Sequence, residues 1–150
     1  MESGEQLDPM YVGECHRVLL IEDRDADVVA FHRFVHDRRL PIELQRARNP
    51  AEAVAMLLLQ LECGRTGELL ILLNLDLPRE AAVKFLVDLR RNEVLAEAIV
   101  VGYTSALPPF GEDVASLHGL VSCLHPTAEG EQSATAMLGQ FVESFLHLRV

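Results

Sequence analysis

Short apolar runs alternate along this chain with segments of helical period, five times in succession. The runs are "RVLLIE" (17–22), "IELQRA" (42–47), "LLILLN" (69–74), "AIVVGY" (98–103) and "LVSCL" (120–124). Each is too short for a core helix and is bounded by turn residues, so each reads as a strand. "LLILLN" is apolar at five consecutive positions, the pattern of a strand covered on both faces. Helical spacing fills the intervals. Val28, Phe31, Phe34 and Val35 form one stripe between Ala26 and Arg38. A second, Val54, Leu57, Leu58 and Leu61, follows Asn49 as N-cap and Pro50 at the first helical position. Ala82, Phe85, Leu86 and Leu89 make a third within 79–91. "EDVASLH" (112–118) is a short fourth helix, and a last helix over roughly 130–147 carries Ala134, Met137, Leu138, Phe141, Val142 and Phe145. Strands that each lead into a helix imply an α/β fold, a five-stranded parallel sheet with helices on both faces, (βα)5.

The chain's 150 residues suit one domain with a full core. Residues 16–150 read as that domain and 1–15 as a flexible N-terminal lead-in, with neither a basic region nor an apolar stretch for a signal peptide. No apolar run reaches membrane-spanning length. The 23 Asp and Glu exceed the 13 Lys and Arg, for a net charge of −10. No basic cluster offers nucleic acid an electrostatic footprint. Cys15, Cys63 and Cys123 lack a paired spacing. Two read as small buried apolar groups and one as part of the lead-in, which fits a reduced, cytoplasmic compartment.

In a parallel sheet the C-terminal strand ends share one edge, where α/β proteins place their sites. Four polar groups fall at such ends: Glu22-Asp23, Asn74 with Asp76, Thr104-Ser105, and His125 before Pro126. A carboxylate pair there can hold a hard cation. The third strand is the anomaly, because "LLILLNLDLPRE" presents a neutral amide first and a carboxylate only two residues later.

"VLLIEDRDADVV", "ILLNLDLPRE", Thr104 thirty residues after Asn74, and "LHP" at the end of the fifth strand together resemble the receiver domain of two-component response regulators. That is the flavodoxin-like fold of the CheY type, and the resemblance spans about residues 16–146. The "IEDRDAD" opening and the "LNLDLP" phrase are most similar to stand-alone regulators associated with bacterial phytochromes. In that family the acidic pair and an acceptor Asp hold Mg²⁺, the Asp attacks phosphorus, and a Thr hydroxyl and a Lys ammonium bind the new phosphoryl oxygens. By position the resemblance makes Glu22 and Asp23 the metal pair and Thr104 the switch hydroxyl.

The departures fall on the chemistry. Asn74 stands at the acceptor position and has no anionic oxygen. His125 stands at the Lys position, and Ala82 replaces a glycine usual eight residues after the acceptor. Asp76 has three readings: a surrogate phosphoacceptor, a residual metal ligand beside Glu22 and Asp23, or a solvated loop carboxylate. Side chains two apart on a strand lie roughly 6.5–7 Å apart along it, so a phosphoryl site tuned to position 74 does not reach 76 without rearrangement. The resemblance therefore implies a degenerate pseudo-receiver, a phosphorylation-independent interaction module rather than an enzyme. No cofactor is required, and any Mg²⁺ at Glu22, Asp23 and Asp76 is weak or vestigial. The implied partner is a histidine kinase or phytochrome. A homodimer is expected through the fourth helix, the fifth strand and the last helix. The alternative is a phosphoaccepting regulator that uses Asp76 with Mg²⁺. A metal-dependent phosphatase, suggested by "NLD" as a partial D-x-D motif, lacks its nucleophile.

Overall fold

The computed structural model describes residues 15–105, 120–125 and 133–148. Within them five strands form one parallel sheet: β1 (His16–Ile21), β2 (Ile42–Ala47), β3 (Leu69–Asn74), β4 (Ile99–Tyr103) and β5 (Leu120–Leu124). The spatial order is β2-β1-β3-β4-β5. Four helices accompany it: α1 (Asp25–Asp37), α2 (Pro50–Glu62), α3 (Arg79–Arg91) and α4 (Ala134–Leu148). The expected 112–118 helix, the start of the last helix at 130–132 and the lead-in over 1–14 lie outside the described residues.

Side-chain parity on the strands sorts the core into two layers, because successive side chains point to opposite faces. Leu19, Ile21, Leu69, Ile71, Leu73 and Val100 pack with Ala53 and Leu57 of α2 and with Ala82, Phe85, Leu86 and Leu89 of α3. Val18, Leu20, Leu70, Leu72 and Val101 take the other face, with Phe31 of α1 and Leu138, Val142 and Leu146 of α4. All six residues of β3 are buried, as an apolar run covered on both sides requires.

Local chemistry sets the element ends. The Asn49 side chain accepts a hydrogen bond from the Glu52 N–H at 2.8 Å, and Pro50 follows at the first helical position. The Glu52 carboxylate accepts in turn from the Arg48 N–H at 2.7 Å, so two orphan donors are satisfied reciprocally. Ser133 accepts from the Ala136 N–H at 3.1 Å and so caps the described part of the last helix. At the C-terminus of α1 the Leu40 N–H reaches the Val35 carbonyl at 3.1 Å, and Arg39 takes φ 52°. That is a left-handed closing turn made without glycine.

Two glycines mark close approaches. A Cβ on Gly139 would meet the Phe34 ring at 2.6 Å, and one on Gly102 would meet Leu75 Cδ1 at 2.6 Å. The first lets α4 lie against α1. The second lets the loop after β3 fold over β4.

Two core expectations are corrected. Leu58 is 43% exposed, because Ala53 and Leu57 take the sheet-facing side of α2 and the next residue is rotated about 100° away. Cys63 is exposed, since it sits beyond the last turn of α2, where the chain leaves the core. Cys123 is intermediate and Cys15 exposed. Phe141 and Phe145 stack on each other at 6.0 Å and pack partly buried on the α1–α4 layer, whereas Leu148 is 85% exposed. Among the described residues no helix is long and apolar enough to cross a membrane.

Candidate functional site

Register and parity together build the site. Ile21 pairs with Leu73, and Asn74 pairs with Tyr103. The positions that end this row, Glu22, Asn74 and Tyr103, therefore lie level on three adjacent strands. They share the parity of Leu20, Leu72 and Val101, so all three side chains belong to the same face. All are buried, with exposures of 2%, 6% and 2%.

Glu22 is the hub of that row. Asn74 Nδ2 donates to both of its carboxylate oxygens at 3.2 Å. The Tyr103 hydroxyl donates to Oε1 at 2.6 Å, and the Arg24 N–H donates to Oε2 at 3.0 Å. Arg46 Nε donates to the Glu22 carbonyl at 2.8 Å, and its other end lies 2.9 Å from Asp25 Oδ1 as an ion pair. Burial, reinforced by the Glu22 carboxylate, pushes the Tyr103 hydroxyl far above its ordinary value, so it stays a donor.

The Asn74 amide works in two directions. Its NH₂ faces Glu22, and its Oδ1 accepts the Asp76 N–H at 2.8 Å, closing an Asx turn. This arrangement explains the neutral amide. A carboxylate at 74 would satisfy the Asp76 N–H equally well but would set its second oxygen against Glu22.

Asp76 turns to the neighbouring strand. Its Oδ1 accepts from the Thr104 hydroxyl at 2.7 Å, and its Oδ2 accepts from the Ser105 N–H at 3.0 Å and the Ser105 hydroxyl at 2.7 Å. Thr104 is buried while Asp76 and Ser105 are exposed. Partial desolvation of its carboxylate works against the Asp76 charge. The hydrogen bonds from Thr104 and Ser105, with Arg24 nearby, outweigh it and hold the carboxyl below its ordinary value. Thr104 is itself tied to β5, its N–H donating to the Leu124 carbonyl at 3.0 Å.

The sequence-derived residues thus fall into two groups. Glu22 and Asn74 meet, and Asp76 and Thr104 meet. Asp23 is exposed, and His125 follows β5 directly, partly buried. Glu22, Asp23 and Asp76 do not form a common donor set. Among the described residues no three His, Cys, Asp or Glu side chains cluster closely enough to hold a metal ion. The oxygens of Glu22 and Asp76 already accept from six protein donors between them, so the residues present do not fit a Mg²⁺ ion. Tyr103 was not singled out from the sequence. Its signal was a tyrosine ending an otherwise apolar strand, where a buried hydroxyl must find a partner. Ser105 was visible only as part of a polar strand end.

No family model matches the sequence, and no curated protein is significantly similar to it. Solved structures are informative. The Mn²⁺-bound form of response regulator Rcp1 is 27% identical, with 87% of this chain and 93% of that chain covered and a TM-score of 0.64. The phosphorylated cyanobacterial phytochrome response regulator RcpA is 22% identical, covering 87% and 91%, with a TM-score of 0.64. The response regulator receiver domain from Rhodospirillum rubrum is 17% identical, covering 85% and 94%, with a TM-score of 0.65. The chain has the CheY-like receiver fold. In this fold the site row lies where β1 and β3 meet, at the point where the strand order reverses. Asn74 ends the strand that the fold places at the centre of the sheet.

Proposed function

We propose that this receiver acts in two-component signalling as a phosphorylation-independent protein–protein interaction module, a pseudo-receiver rather than an enzyme. The observation that carries this reading is the closure of the site by its own side chains. Asn74 offers no anionic oxygen to phosphorus, and its amide is occupied by Glu22 and by the Asp76 N–H. Both oxygens of Asp76, the nearest alternative nucleophile, accept hydrogen bonds from Thr104 and Ser105. Glu22 already has three donors where a cation would need free oxygen ligands. On this reading neither Mg²⁺ nor any other cofactor is needed.

The output is then a contact surface. The partner on this reading is a histidine kinase or a phytochrome, in keeping with the similarity to a phytochrome response regulator. A second copy binds through the 112–118 segment, β5 and α4, where Leu148 stands exposed. The decisive experiment is incubation with Mg²⁺ and acetyl phosphate, followed by intact-mass measurement. The mass is expected to stay unchanged. A gain of one phosphoryl group that disappears in Asp76→Ala would establish the phosphoacceptor alternative instead.

A further inference from the structure

We infer that Asp76 is a tethered anionic ligand, filling an oxyanion cradle that this chain builds from Thr104 and Ser105. The inference rests on the interaction-module reading and deepens it, because it says what sets the state of the site when no phosphoryl group arrives. Three donors converge on one carboxylate: the Thr104 hydroxyl at 2.7 Å, the Ser105 hydroxyl at 2.7 Å and the Ser105 N–H at 3.0 Å. A backbone N–H beside two hydroxyls, all aimed at acceptor-only oxygens, is the donor set that binds small oxyanions, whether carboxylate or phosphate.

The carboxylate is delivered to that cradle by backbone that is held at two successive N–H groups. Asn74 Oδ1 holds the Asp76 N–H at 2.8 Å, and the Leu75 N–H donates to the Tyr103 carbonyl at 2.8 Å. Leu75 itself lies over Gly102, where any Cβ would collide with it. The loop therefore cannot carry Asp76 away from Thr104 without first giving up the Asn74 turn or the contact with Gly102. A tethered ligand with so few torsions free loses little entropy on binding, so it outcompetes a dissolved anion of the same chemistry. The Thr104 N–H donates to the Leu124 carbonyl, so the cradle stands where the β4–β5 pairing ends.

The test uses the full chain and the Ser105 amide resonance as reporter. In Asp76→Ala the resonance is expected to shift from its wild-type position, and the thermal midpoint to fall. Added sodium formate should return the resonance toward wild type with saturation and recover part of the midpoint. Sodium chloride at equal ionic strength should not, and wild type should be insensitive to formate. Inorganic phosphate, tried in parallel, shows whether the cradle accepts a tetrahedral anion as well. A formate response no larger than the chloride response in Asp76→Ala overturns the inference. If that variant does not fold, Asp76→Asn serves, because its NH₂ faces donors in place of one oxygen; an unshifted Ser105 amide there overturns the inference equally. The acetyl phosphate mass assay on wild type reports separately on the function. A cradle that fails with no phosphoryl gain therefore removes this inference alone.

Discussion

At position 74 the choice of amide over carboxylate is settled by a single neighbour. Glu22 lies within 3.2 Å of Asn74 Nδ2 and is 2% exposed. Asn74→Asp would place two carboxyl groups in contact where water cannot separate them, and like charges at that range cannot both ionise. We expect that substitution to destabilise the fold by about 2–3 kcal/mol in EDTA, with Mg²⁺ recovering much of the loss while leaving the wild type unmoved. Thermal unfolding with and without Mg²⁺ checks both halves, and an equal Mg²⁺ response in the two proteins contradicts this account of the site. Position 76 makes a second, weaker prediction. The Asp76 carboxyl is held below its ordinary value of about 3.9. Its contribution is therefore complete above roughly pH 4 and is lost as pH falls through the depressed value. Because Asp76 is exposed, solvent screening keeps the effect of Asp76→Asn to about 1 kcal/mol or less at neutral pH. The gap between the two proteins should close below pH 4 in denaturant titrations, and a gap that persists into acid assigns the effect to shape.

At the scale of elements, helix and strand identity followed from period, while boundaries and approach distances followed from single contacts. The bounds of β2, β3, α3 and β5 agree with the sequence pattern, because each begins or ends at a proline, glycine or polar strand end. Leu58 shows where periodicity misleads. Four apolar residues on two turns of α2 exceed the width of the face that the sheet covers, and the pattern does not say which one is left out. Gly139 shows the opposite case, a residue whose meaning is invisible until α1 and α4 meet. In an isolated helix Gly139→Ala would gain about 1 kcal/mol. Here its Cβ meets the Phe34 ring at 2.6 Å, and overpacking of that kind costs about 1–3 kcal/mol. The net expectation is a destabilised protein, measured as a lower denaturant midpoint. A more stable variant would mean that Phe34 swings aside freely.

The whole molecule combines a doubly covered parallel sheet with a closed polar edge. Its proposed output lies in contacts with other chains, so oligomeric state is the property to measure. Leu148 at 85% exposure is the large apolar side chain most open to solvent on α4, whereas Phe141 and Phe145 are partly engaged by the core. Sedimentation equilibrium is expected to find a dimer that Leu148→Glu converts to monomer. A monomeric wild type at high concentration removes the homodimer and leaves a heterologous partner as the output.

The amino-acid order alone determined the fold class, the sheet-edge location of the site and the identity of Glu22, Asn74, Asp76 and Thr104 as its polar residues. Strand period, helix stripes and turn residues are local properties, so they can be read along one chain. Tertiary structure decided how those residues are shared out. Sequence distance does not reveal that Asn74 turns its amide toward Glu22, that Tyr103 completes that row from β4, or that Asp76 spends both oxygens on Thr104 and Ser105. Those pairings join residues 28, 29, 52 and 81 positions apart. They exist only because parallel register brings three strand ends level, and hydrogen-bond geometry then selects the partners of each buried group.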